Sequence, residues 1–214
     1  MEITHRGQFG EVWGFAPVFN GKTDGFYVDI GAHDGISDSN TFHFDRLGWH
    51  GICIEPHRTF YPQLVKNRPR ATCLNCAVWD EELESVDFYV TAVGGWSRIG
   101  GPIPNADWPI VGIQHPHTRI LNNVLQEYNA PAPLDLISID VETSEWHVLN
   151  GFDLDKYRPR IVVIEDMGMK RQFDSFFEGY TGVYSYFLGV RGSNVIYCRE
   201  TDDAKIVERR WRRN

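Results

Sequence analysis

The side chains most able to do chemistry in this chain are a glycine turn followed by a distant glutamate, and two short clusters of acids. The turn lies in Val28 to Gly35, VDIGAHDG, where an apolar run meets two glycines before a helical pattern begins. Glu55 ends the next apolar run, GICIE, 24 residues beyond Gly31. Small turn residues let backbone N–H groups come close to a ligand, and an acid at about that spacing can accept from both hydroxyls of a ribose. Together they describe half of a nucleoside-cofactor site. Asp140 ends the run LDLISID with Glu142 just beyond it, and Glu165 and Asp166 end RIVVIE. If those runs are neighbouring parallel strands, ~4.8 Å apart, their carboxylates converge on one small volume. Such crowding is costly unless a proton, a hydrogen bond or a cation relieves it. Oxygen-preferring ions such as Mg²⁺, Mn²⁺ or Ca²⁺ would do so. A metal site, a metal-free general base at Asp140 or Glu142, and purely structural acids are all compatible with these residues.

The elements that must position these groups follow from the apolar pattern. Strands are predicted at Gly25 to Gly31, Gly51 to Glu55, Ala71 to Val78, Val86 to Val90, Leu134 to Asp140 and Arg160 to Glu165, with VYSYFLGV and NVIYC later. Four of the first six are apolar nearly throughout, as parallel strands buried on both faces are. Helical patterns fall between them, at Ser37 to Leu47, Thr59 to Asn67, Thr118 to Tyr128, Ser144 to Leu149 and Gln172 to Phe177, and Ser37 or Asp38 is expected to cap the first. Strand alternating with helix implies an α/β, Rossmann-like doubly wound sheet, mostly parallel, with ligands beyond the carboxyl ends of its strands. Residues 94–117 are rich in glycine and proline without a clear period, and read as a long irregular loop that could meet a substrate.

At 214 residues the chain suits one domain, spanning 1–214. A net charge of −8 argues against a nucleic-acid partner. The basic tail at 205–214 is the exception, a cluster that could touch an anionic partner or substrate and is read chiefly as a solvated, partly frayed terminus. No apolar run reaches the ~20 residues that a membrane span needs, and the start MEITHRGQFGEVW lacks a signal-peptide layout. A cytoplasmic, soluble protein is expected, by itself or as a piece of a larger protein whose other parts carry the address. Cys53, Cys73, Cys76 and Cys198 make no disulfide framework, and the single CxxC at Cys73 and Cys76 lacks the second pair that a structural zinc site needs.

The segment GFYVDIGAHDGISDSNTFHFDRLGWHGICIEP, with RGQFGE upstream and LDLISIDVETSEWHVLNGFDLDKYRPRIVVIE downstream, resembles the FkbM family of methyltransferases, a branch of the class I S-adenosylmethionine-dependent enzymes. The resemblance runs from Gln8 to Asp166. It implies a seven-stranded sheet and methyl transfer, usually to oxygen and often to a sugar hydroxyl of a glycan, by this chain itself or as a domain of a larger glycan-modifying protein. Carried over, Asp29, Gly31, His33 and Gly35 would surround the methionine part of the cofactor. Glu55 would hold the ribose, with Pro56 starting the next loop. Asn75, Cys76 and Ala77 would meet adenine, Gln8 and Asn40 would lie near the pocket beneath a covering segment at 1–24, and Asp140 would border the cofactor. Similarity to metal-dependent class I O-methyltransferases would make Asp140, Glu165 and Asp166 ligands of Mg²⁺ or Mn²⁺, with Asp140, Glu142 and Asp166 as catalytic residues. Trp96, Ser97 and Arg98 stand where relatives carry acceptor-loop residues, and His115 is expected to join them. His147 is a further candidate for the cleft.

Two departures stand out. The usual glycine after DVE is Thr143, and the usual histidine after the strand-end glutamate is Asp166. An acid in place of that histidine favours metal over an imidazole base. Two rival functions keep the fold: an NAD-dependent oxidoreductase, for which the turn lacks a third glycine and no Tyr-x-x-x-Lys dyad is present, and a non-catalytic nucleoside-binding module.

Overall fold

The computed structural model describes residues 5–101, 109–187 and 190–211. Seven strands form the central sheet: β1 (Phe26–Ile30), β2 (His50–Ile54), β3 (Thr72–Leu74), β4 (Leu136–Ile139), β5 (Ile161–Glu165), β6 (Thr181–Phe187) and β7 (Val190–Cys198). Their order is β6-β7-β5-β4-β1-β2-β3. The pairs β1–β2, β1–β4, β4–β5 and β2–β3 are parallel, and β7 runs antiparallel to both β5 and β6. The chain therefore winds outward from β1 in both directions, which opens a crevice at the carboxyl ends of β1 and β4.

Alternation of side chains along each strand supplies both faces with apolar groups. Val28, Ile30, Ile52, Ile54, Ile137 and Val162 pack on one face, under α4 (Leu121–Glu127), α5 (Glu145–Asn150) and α7 (Lys170–Phe176). Tyr27, Cys53, Leu136, Ile161 and Val163 face the other way, onto α1 (Glu11–Phe15), α2 (Phe42–Arg46), α3 (Tyr61–Asn67) and α8 (Thr201–Trp211). The remaining short helix, α6 (Leu154–Tyr157), leads into β5. Each fully buried Ile, Val or Leu contributes ~1.5–3 kcal/mol, so the sheet is held chiefly from both sides.

Several expectations change. The strand expected at Ala71 to Val78 splits into Thr72–Leu74 and Ala77–Val78, in different sheets, and the helix expected from Thr118 starts at Leu121. The helix expected from Ser37 starts only at Phe42, because Asp38 takes a left-handed φ of 53° and the Ser39 hydroxyl accepts from the N–H groups of Thr41 and Phe42. Residues 94–117 are not wholly irregular: strands at 98–99 and 110–114 pair antiparallel with Phe88–Thr91, while 102–108 lie outside the described residues. The tail is not frayed over its described length. Lys205 and Arg209 belong to α8, whose Ala204 and Val207 are buried, and Trp211 approaches Gly14 of α1; 212–214 lie outside the described residues. Among the described residues, no helix is long and apolar enough to cross a membrane.

Candidate active site

Gly31 follows β1 at a φ of +83°, and a Cβ there would stand 1.7 Å from the Asp140 carbonyl oxygen. Only glycine allows the chain to cross the end of β4 at this distance. The N–H groups of Gly31 and Ala32 both donate to the Ile54 carbonyl at 3.0 Å, which ties the turn to the end of β2. The next residues pass beside Glu55. Its two carboxylate oxygens accept from the backbone N–H groups of His33 (2.8 Å) and His57 (2.7 Å). Burial, and then the charge of Asp29, push Glu55 up to about 7 against the pull of those two N–H groups. A ligand hydroxyl donating to Glu55 would favour its ionised form.

Asp29 points to the opposite face of β1 from Val28 and Ile30. Its Oδ2 accepts from the hydroxyls of Thr41 (2.5 Å) and Ser39 (3.3 Å) and stands 3.7 Å from Arg68 Nη2. Arg68 is fully buried and also donates to the Gly35 carbonyl, the Tyr27 hydroxyl and the hydroxyls of Ser39 and Thr41. Burial raises the Asp29 carboxyl, and Arg68 opposes that shift. Asn40 donates to Ser138 at 3.2 Å, while its Oδ1 is buried with no donor among the described residues.

The acids of the second half stand at the ends of β4 and β5. One carboxylate oxygen from each of Asp140, Glu145 and Glu165 lies within 4.8 Å of the others. Burial, and then Glu145 and other acids, raise Asp140 to about 7; burial, and then Asp140, raise Glu142 to about 8; burial, and then Asp140, raise Glu165 to about 10. Glu142 and Thr143 both have left-handed φ, 56° and 80°. For a β-branched residue such as Thr143 that conformation is strained.

A cavity of ≈ 360 Å³ joins the two halves. That volume falls in the range of small-molecule sites. Of the residues expected from sequence, Gln8, Asp29, Gly31, His33, Asn40, Glu55, Pro56, Cys76, Ala77, Asp140, Glu142, Glu165, Trp96 and Ser97 line it. Methyltransferase FkbM domain is the family model that matches the chain, over residues 29–191. The chain belongs to the FkbM methyltransferase family. Among solved structures, the O-methyltransferase TomG from Streptomyces achromogenes, solved with S-adenosylmethionine, is 10% identical with a TM-score of 0.50, over 88% of this chain and 78% of that one. A Bacillus cereus O-methyltransferase solved with S-adenosylhomocysteine is 11% identical with a TM-score of 0.47, over 89% of this chain and 80% of that one. No curated protein matches the chain by sequence.

Five of the residues expected from sequence lie off this cavity. Gly35 is drawn under Arg68, with Leu64 and Arg68 both close enough to crowd a Cβ. Asn75 spends its amide on the carbonyls of Glu55 and Pro56. Arg98 is buried, with its Nε donating to the Gly101 carbonyl. His115 is exposed beside Asp87, 3.2 Å away. Asp166 is turned aside: Tyr184 donates to its Oδ2 at 2.8 Å and the Gly168 N–H to its Oδ1 at 3.0 Å. The Ala77 N–H, a candidate for adenine, donates instead to the His117 carbonyl. His147 stacks on Trp79 and bonds to Asp80, away from the cavity.

Several contributors escaped the sequence reading. Phe60 lines the cavity with its ring 3.7 Å from that of His33. Glu11 is fully buried and holds the segment of Gln8 and Phe9 in place, accepting from the Phe9 N–H and from Asn194. Arg68 and Glu145 complete the set. Glu145 alone carried a signal, as an acid close after the strand-end acids.

The residues present fit a nucleoside methyl donor. Asn40 Oδ1 is a buried acceptor without a donor among the described residues, Glu55 is pre-set by two N–H groups, and the Gly31 turn leaves no side chain in the way.

Proposed function

We propose that this FkbM-family chain takes a methyl group from S-adenosylmethionine and delivers it to an oxygen, a sugar hydroxyl of a glycan or glycoconjugate. The observation that carries the reading is the shared cavity: the glycine turn with Glu55 borders one part of it, and the strand-end acids with Trp96 border another. Glu55 suits the ribose hydroxyls and Asn40 the cationic end of the methionine. The sulfonium makes the methyl carbon electrophilic when the donor is bound. The acceptor oxygen then attacks in line, the O–C bond forms as the C–S bond breaks, and the hydroxyl proton leaves to a carboxylate such as Asp140 or Glu142. Most of the acceleration on this reading comes from holding the two substrates in line, for which effective molarities of ~10⁵ M and above are known. Trp96 offers an aromatic face to a sugar ring. A divalent cation held by the strand-end acids would acidify and fix the acceptor hydroxyl. A metal-free base is the second reading, favoured by Glu142, whose Oε2 is buried without a donor among the described residues.

The test is incubation with S-adenosylmethionine and a panel of monosaccharides and oligosaccharides, followed by mass spectrometry of the products. A methyl ether and S-adenosylhomocysteine in equal amounts are expected. Thermal stabilisation by NAD and not by S-adenosylhomocysteine would overturn the donor assignment. Turnover that survives exhaustive EDTA selects the metal-free base.

A further inference from the structure

We infer that Asp140, Glu145 and Glu165 form a divalent-cation site, with Glu145 rather than Asp166 as the third ligand. Their oxygens lie within 4.8 Å of one another. Oxygens bound to one ion at ~2.0–2.6 Å stand at most ~4–5 Å apart, so small side-chain rotations bring these three onto a Mg²⁺, Mn²⁺ or Ca²⁺ ion. Glu165 supplies the second, independent observation. It is 5% exposed, it lines the cavity, and its Oε2 is buried with no donor among the described residues. An ionised carboxylate in that state bears a desolvation cost that a hydrogen bond or a counter-charge must offset.

The protein offers little positive charge to do so. Six carboxylates line the cavity, those of Asp29, Asp38, Glu55, Asp140, Glu142 and Glu165, and no lysine or arginine is among the described residues that line it. Arg68 is engaged with Asp29 on the other side of β1, and Arg98, which donates to the Gly101 carbonyl, also favours an ionised Glu142 by its charge. Glu145 is oriented for ligation, since the Val141 N–H donates to its Oε1 at 3.1 Å. That is the kind of outer hydrogen bond that fixes a liganding carboxylate. Asp166 is held away by Tyr184 and Gly168. Hard oxygen ligands select Mg²⁺, Mn²⁺ or Ca²⁺ over thiophilic ions. The inference deepens the methyl-transfer reading and rests on it for the ion's purpose, which is to hold an acceptor oxygen.

The test is Mn²⁺ titrated into metal-stripped protein, with and without S-adenosylhomocysteine, the free ion read by electron paramagnetic resonance. Cofactor binding is measured by calorimetry on the same samples. One equivalent of Mn²⁺ is expected. Glu145→Gln and Glu165→Gln, isosteric and checked for folding by circular dichroism, should each weaken Mn²⁺ about tenfold or more. Both variants should still bind S-adenosylhomocysteine, and Asp166→Asn should leave Mn²⁺ affinity unchanged. The site is refuted if protein that binds S-adenosylhomocysteine takes up no Mn²⁺. It is also refuted if both glutamine variants keep wild-type affinity, or if Asp166→Asn alone abolishes it. Mn²⁺ binding without cofactor binding would uphold the ion and remove the methyl-donor reading.

Discussion

The two halves of the cavity treat buried carboxylates in opposite ways. On the side of β1 and β2, Glu55 has an N–H donor on each oxygen, and Asp29 has two hydroxyls and the Arg68 guanidinium at hand. At the ends of β4 and β5, Glu142 and Glu165 each keep a buried oxygen with no donor among the described residues, and acid crowds acid. The first half is pre-set for a ligand that brings hydroxyls and needs no rearrangement. The second sets acid against acid, which with burial raises their carboxyls, and an incoming cation or cationic substrate would favour their ionised forms. Pre-organisation and unmet demand thus sit in one cavity, which suits a reaction that binds its donor tightly and develops charge at the acceptor.

The strongest challenge to the pre-set half is Gly31→Val. With a Cβ 1.7 Å from the Asp140 carbonyl and a φ of +83°, the turn cannot stay where it is. A loss above about 5 kcal/mol, or no folded protein at all, is expected in urea denaturation. Near-native stability would show that the turn relaxes without the sheet.

Arg68→Met comes next. It leaves Asp29 buried without its counter-charge, and removes donors from Gly35, Ser39 and Thr41. Breaking a buried pair in this way costs about 3–5 kcal/mol. A second change at Asp29 to Asn should recover part of it, and a double-mutant cycle measures how much.

Glu55 sets a pH window. Its folded value of about 7 lies above the unfolded 4.5, so the folded state binds the proton more tightly. Stability is therefore fully favoured below pH 4.5 and declines as pH rises through 7, by about 3 kcal/mol from this group in the ligand-free protein. Glu55→Gln should flatten that part of the pH–stability curve, and weaken S-adenosylhomocysteine binding in calorimetry. An unchanged curve would mean that Glu55 stays ionised throughout.

The smallest effect probes the other half. Thr143→Gly relieves a β-branched residue at a φ of 80°, and a gain of about 1 kcal/mol is expected in thermal melts after the added unfolded-state entropy is deducted. A loss would mean that the Thr143 side chain makes a compensating contact.

Much of the architecture was readable in one dimension because its causes are local. The apolar runs that became β1, β2, β4 and β5 carry their burial in their composition, and VDIGAHDG carries its turn in its glycines. The strand at Phe88–Thr91 was expected, but its partners at 98–99 and 110–114 were missed because they are short, and part of the second is exposed: Val111 and Ile113 face solvent. Such a strand has no alternation to announce it. Arg68, in KNRPRAT, looks like one surface charge among several until the fold closes over it. Glu11 likewise becomes a buried anchor only because Asn194, from the far end of the chain, comes to meet it.

By itself, then, the chain determined a doubly wound sheet, a tight turn after its first strand, and acids at the ends of two strands, all consequences of side-chain polarity and backbone freedom over a few residues. Which acids share a volume was decided only in three dimensions. Along the chain Asp166, next to Glu165, was the expected partner of Asp140 and Glu165, and Glu145 was not. Tyr184 and the Gly168 N–H draw the first aside, whereas the turn after β4 and the Val141 N–H bring the second in. Electrostatic energy depends on distances of a few ångströms between groups far apart in sequence, and those distances exist only once the sheet is assembled.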